Sequence, residues 1–106
     1  MDKILGLIGL AKKAGRITTG SELCEDAIRR GMSKLIIIAK DISDNGCKAI
    51  CDCCKHYGVK YITYSEKSDL GAAVGSEIRT VISINDEGFA RAIEDKITAI
   101  SEERKG

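Results

Sequence analysis

Apolar residues at Ile4, Leu7, Ile8 and Ala11 recur at three- and four-residue intervals, which predicts an amphipathic helix over residues 2–13. Gly15 ends it, and "RIT" offers a short strand. "GSELCEDAIRRG" reads as a second helix that turns Leu23, Cys24, Ala27 and Ile28 inward and stops at Gly31. "KLIIIAKD" is the clearest strand, a continuous β-branched run of the kind covered on both faces. "SDNGCKAICDCCKHYG" follows as a helix closed by Gly58, then "VKYITY" as a strand, "SDLGAAVGSE" as a short helix and "TVISI" as a strand. "NDEGFARAIEDKITAI" forms the last helix, started by an Asn or Asp cap.

Helices and strands alternate throughout, with no linker, repeat or low-complexity stretch between them. That alternation specifies an α/β layered domain with helices on both faces of one small sheet. One domain over residues 1–100 is expected, followed by a frayed polar tail at 101–106.

Composition narrows the reading. The chain of 106 residues is 43% hydrophobic, enough to bury a core, and its net charge is only +1. The charge is uneven: residues 1–34 hold seven Lys/Arg against four Asp/Glu, so any polyanion site falls in the N-terminal third. The apolar run Ile4–Ala11 is too short for a signal peptide, and Lys12 and Lys13 stand where a cleavage site belongs. No run reaches the roughly 20 apolar residues that span a bilayer. A cytoplasmic protein with no membrane partner is expected, its five cysteines reduced.

Candidate chemistry is sparse. Cys47, Cys51 and Cys54 share one helix face with Ile50, as small core hydrophobes would, while Cys53 is expected to be exposed. A zinc site needs two separated pairs or several histidines, and His56 is the only histidine, so no metal or cofactor is expected. "GAAVG" lacks the lysine of a phosphate loop and fits close helix packing instead. No nucleophile–base pair can be drawn, and the chain does not read as an enzyme.

The start of the second helix allows two readings. A turn at Gly20 leaves free N–H groups at a positive dipole end, which suits a phosphate, and Lys12, Lys13 and Arg16 lie just upstream. Thr19 and Glu22 also have capping-box spacing, and Glu25 and Asp26 favour the same dipole with no ligand present.

Five pieces standing in order resemble one family: "GLAKKAGRITTG", "RRG", "KLIIIAKDISDNGCK", "YGVKYITYSEKSDLGAAVG" and "NDEGFA". Together they are similar to the kink-turn-binding ribosomal proteins of the L-seven-Ae type, within a small bacterial ribosomal-protein-like branch. The resemblance implies a three-layer α/β/α sandwich with a four-stranded mixed sheet. It implies binding of a kink-turn or other structured ribosomal RNA, by a monomer associated with the ribosome or its assembly factors. Carried over by position, RNA contacts fall on Lys13, Arg16, Thr19, Gly20, Ser21, Glu22, Leu23 and Asp26. A loop covering an extruded base falls on Tyr64, Ser65, Glu66, Lys67 and Leu70.

The chain also departs from that pattern. Relatives carry a lysine where this chain has Asp26, a polar residue where it has Leu23, and a proline in the loop that here reads "YSEKS". Attraction to phosphate at position 26 becomes repulsion. An alternative function is therefore a protein-interaction module that docks on a ribosomal or transcription factor through the acidic second-helix surface.

Overall fold

Nine elements alternate along the chain in a computed structural model that describes residues 2–105, with side chains to Glu102. They are α1 (Lys3–Lys13), β1 (Ile17–Thr19), α2 (Ser21–Arg29), β2 (Leu35–Ile38), α3 (Asp44–Tyr57), β3 (Tyr61–Thr63), α4 (Lys67–Ala73), β4 (Val81–Ile84) and α5 (Glu87–Lys105). The strands form one mixed sheet in the order β1-β4-β2-β3, with β2 parallel to β3 and antiparallel to β4, and β1 antiparallel to β4.

β2 lies inside the sheet, and all four of its residues are buried. Period-two alternation sends Leu35 and Ile37 into one core and Ile36 and Ile38 into the other. The first core joins the sheet to α1, α4 and α5 through Ile4, Ile8, Leu70, Val74 and Ile93. The second joins it to α2 and α3 through Cys24, Ile28, Ile50 and Cys54. Helices thus cover both faces, giving the expected α/β/α sandwich. Each fully buried isoleucine contributes about 1.5–3 kcal/mol.

Local signals set the boundaries. Asp2 caps α1, its Oδ1 accepting from the Leu5 amide at 2.7 Å. Ser43 caps α3, and Gly58 closes that helix at φ +71° with its N–H on the Cys54 carbonyl. Asp86 caps α5, its Oδ2 accepting from the Phe89 amide at 2.9 Å.

Several expectations need correcting. Leu23 is 63% exposed, because Cys24, Ala27 and Ile28 already fill the inward stripe of α2. Thr19 and Glu22 form no capping box: Thr19 pairs with Ile82 in the sheet, and Gly20 is the N-cap with no side-chain bond. Cys53 is half-buried against the second core, since α3 packs on α2 as well as on the sheet. Cys51 packs against that core and Cys47 is half-buried outside it, with their Sγ atoms 3.8 Å apart. Helix α5 continues to Lys105, through most of the segment expected to fray; the side chains beyond Glu102, and Gly106, lie outside the described residues.

Candidate functional site

One end of the sheet gathers most of the candidate residues. At the finish of β1, the Gly20 N–H donates to the Val81 carbonyl at 3.1 Å, beside the first residue of β4. Across β4, Ala39 donates to the Thr80 carbonyl at 2.9 Å, and the Tyr64 amide donates to the Ile38 carbonyl at 2.9 Å. The starts of α2 and α4 therefore share one end of the sheet, three strand spacings or about 14 Å apart.

Gly20 permits the turn into α2. Its φ of +94° is a conformation L-residues rarely adopt, and its carbonyl accepts from the Cys24 amide at 2.9 Å to close the first helical turn. No side chain caps the helix, which leaves the leading amides of α2 directed outward beside exposed Ser21 and Glu22.

The β3–α4 loop is pinned from two sides. Lys40 donates its amide to the Ser65 carbonyl at 2.8 Å, and Asp41 Oδ1 accepts from the Lys67 amide at 2.8 Å. That amide bond is the main reason the Asp41 carboxyl titrates below its ordinary value. Ser65 has a φ of +64°, and its hydroxyl donates to Asp69 Oδ2 at 3.3 Å. Glu66 is exposed and Lys67 half-buried.

Two residues assigned to this loop point elsewhere. Leu70 is fully buried in the first core, so its side chain holds α4 to the sheet and presents nothing to a ligand. Tyr64 packs against the same core, and its hydroxyl donates to Asp2 Oδ2 at 2.6 Å, tying β3 to the cap of α1.

Strand order adds residues that sequence reasoning missed. Because β4 runs between β1 and β2, the segment Glu77–Thr80 that enters it lies between the starts of α2 and α4. Arg79 donates its amide to the Lys67 carbonyl at 3.0 Å, and its Nη1 donates to the Ile78 carbonyl at 2.8 Å. Nε of Arg79 is buried without a hydrogen-bond partner among the described residues. Ile78 is 49% exposed. Gly71 makes the placement possible, since a Cβ there would lie 2.5 Å from the Glu77 carbonyl oxygen. The close packing read from "GAAVG" was the available signal; the segment that approaches Gly71 was not legible.

Lys13 and Arg16 are not brought to this end. β1 separates Arg16 from Gly20 by four residues, about 13 Å at strand rise. The Arg16 carbonyl accepts from Asn85, beyond the far end of β4. Asp26 and Leu23 line a groove of about 460 Å³ over the outer edge of β1, with Lys12, Ile17, Arg30 and Met32. Among the described residues no three His, Cys, Asp or Glu side chains cluster as metal ligands, and no helix is long and apolar enough to cross a membrane.

A sequence profile described as the ribosomal protein L7Ae/L30e/S12e/Gadd45 family matches residues 2–94. The chain belongs to that family. Within it, an RNA-binding protein YlxQ from Bacillus subtilis (strain 168) is 34% identical, aligned over 82% of this chain and 87% of the relative. The large ribosomal subunit protein eL8 of Cenarchaeum symbiosum (strain A) is 32% identical over the full chain and 85% of its own length. A solved structure of a Bacillus halodurans protein of unknown function superimposes with a TM-score of 0.86 at 32% identity, covering 90% of this chain and 96% of that one. The sandwich is thus shared with a solved structure of similar sequence.

Proposed function

We propose that the protein is a non-enzymatic binder of structured RNA that works in association with the ribosome. Its ligand is a kink-turn or a similarly bent stem, and it acts as a cytoplasmic monomer without a cofactor. Membership of a family whose similar members include an RNA-binding protein and a large-subunit ribosomal protein supports the reading. The observation that carries it to particular residues is the convergence of Gly20, Ser21 and Glu22 with Ser65, Glu66 and Lys67 at one end of the sheet. Uncapped amides of α2 suit a phosphate, the exposed Ile78 side chain offers a base an apolar contact, and Arg79 supplies a cation between the two loops.

Crosslinking in cells followed by peptide mapping tests this directly. RNA adducts within residues 20–23, 64–67 and 77–80, recovered with ribosomal particles, are the expected result. Adducts to protein alone, insensitive to nuclease, overturn it.

A second reading, docking of a protein partner on α2, draws on the exposure of Leu23 beside Met32 and on the acidic residues Glu22 and Asp26. Partners retained after nuclease treatment and lost in a Leu23→Ser variant are its signature.

A further inference from the structure

Charge is distributed unequally between the two ends of the sheet. Around the starts of α2, α3 and α4, the cations Lys40, Lys67 and Arg79 are outnumbered by Glu22, Asp41, Asp44, Glu66, Asp69 and Glu77. At the opposite end, where α1 and α2 finish and β2 begins, stand Lys12, Lys13, Arg16, Arg29, Arg30 and Lys34, all exposed. The carboxylates there are Asp26, Asp86, Glu87, Glu94 and Asp95, and Lys60 and Arg91 add two further cations. Asp26 is paired with Arg30 at 3.0 Å, and Asp86 accepts the Phe89 amide as the cap of α5. Glu94 is paired with Lys60 at 2.8 Å, and Glu87 and Asp95 line a recess with Lys34 and Arg91.

From this asymmetry we infer that the chain carries a second phosphate-binding face, formed by Lys12, Lys13, Arg16, Arg29 and Lys34, which grips the RNA backbone away from the bend. The inference rests on the RNA-binding reading and extends its footprint to the other end of the sheet.

Backbone hydrogen bonds place these cations. Arg16 accepts through its carbonyl from the Asn85 amide at 2.8 Å, and Lys34 donates its amide to the Ile84 carbonyl at 2.8 Å. The two residues therefore flank the end of β4 on either side, about 10 Å apart across two strand spacings. A chain of polar side chains holds that geometry from within. The Ser83 hydroxyl lies 2.7 Å from the Ser33 hydroxyl and 2.7 Å from Asn85 Oδ1, and Asn85 Nδ2 donates to Thr18 Oγ1 at 2.9 Å. Ser33 and Ser83 are both buried, so the chain locks the loop carrying Lys34 to β4 and, through Asn85, to β1. Lys12 and Arg30 line the groove over the β1 edge, which brings the finish of α1 to the finish of α2.

Cations in a last helical turn complement the helix dipole without any ligand, and that accounts in part for Lys12, Lys13 and Arg29. Arg16 and Lys34 lie beyond the helix ends, where the dipole gives them no such role. A polyanion with phosphates at regular intervals gives the cations at this end a common ligand, and such contacts fix an RNA's register without reading its sequence.

The test titrates a kink-turn RNA, and the same stem without its bend, at several salt concentrations. The proteins are the wild type, the Lys12→Ala/Arg16→Ala/Lys34→Ala variant and the charge-retaining Lys12→Arg/Arg16→Lys/Lys34→Arg variant. The alanine variant is expected to bind both RNAs at least tenfold more weakly, with a log–log salt slope smaller by about 2–3, from roughly 0.7–0.9 for each phosphate no longer neutralised. The charge-retaining variant is expected to recover most of that loss. Wild-type affinity and slope in a folded alanine variant overturn the second face and leave the RNA-binding reading intact. No binding by wild type at low salt overturns both.

Discussion

Nε of Arg30 lies 3.0 Å from Oδ2 of Asp26, one helical turn away on the exposed side of α2. The pair changes the role of Asp26. Its carboxylate is turned back along α2 toward the groove over β1, with a cation already beside it. Both side chains are well exposed, at 69% and 49%, so the pair contributes only about 0.3–0.5 kcal/mol. An Asp26→Lys variant is accordingly expected to melt in urea within about 1 kcal/mol of wild type. Its affinity for structured RNA is expected to rise several-fold, as a filter-binding titration would record.

Gly71 is a sharper structural requirement. Alanine there would force its Cβ to 2.5 Å from the Glu77 carbonyl oxygen, and backbone on both sides leaves little room to yield. Gly71→Ala is expected to cost about 1–3 kcal/mol in urea denaturation. Displacement of Glu77–Thr80 should weaken RNA binding as well. Wild-type stability would show that the α4–β4 segment rests less closely on α4 than the structure places it.

The buried chain through Ser83 can be probed without touching a charge. Ser83→Ala removes the hydroxyl shared by Ser33 and Asn85 and leaves buried polar atoms unpaired. A loss of about 1–3 kcal/mol is expected by urea denaturation. Hydrogen exchange should quicken at Ser33 and Lys34 before it does in β2.

Two buried thiols favour the folded chain less as the solution becomes alkaline. Burial is the main cause that pushes both Cys24 and Cys54 up to about 12 from an ordinary 9.0. Between those values the unfolded chain ionises while the folded one stays neutral. The stability that these neutral thiols contribute is therefore fully present below pH 9 and is lost as pH rises toward 12. Urea midpoints at pH 8 and pH 10.5 should differ in that direction, and a Cys54→Ala variant, less stable throughout, should show a smaller drop.

Much of the fold was legible because local patterns and tertiary roles agree. The β-branched run at Leu35–Ile38 is the central strand, and Gly58 ends α3 in the left-handed conformation its position suggested. What could not be read was strand order. Nothing in "TVISI" says that it lies between β1 and β2, and that position alone brings Ile78 and Arg79 to the site. The sequence likewise did not show that Lys13 and Arg16, near Gly20 along the chain, are carried by the strand between them to the opposite end of the sheet. Leu70 and Leu23 exchanged roles for a related reason. Their faces are decided by which neighbours already fill the inward stripe, and helical period alone does not settle that.

Whether the chain recognises bent RNA is decided by a fluorescence titration of a labelled kink-turn RNA with wild-type protein. Comparison with an unbent stem of equal length, at low and moderate salt, separates shape recognition from charge. Salt-sensitive binding at both concentrations, tighter for the kink-turn RNA, is the expected result. Equal affinity for the two RNAs, or no binding to either at low salt, would refute recognition of the bend.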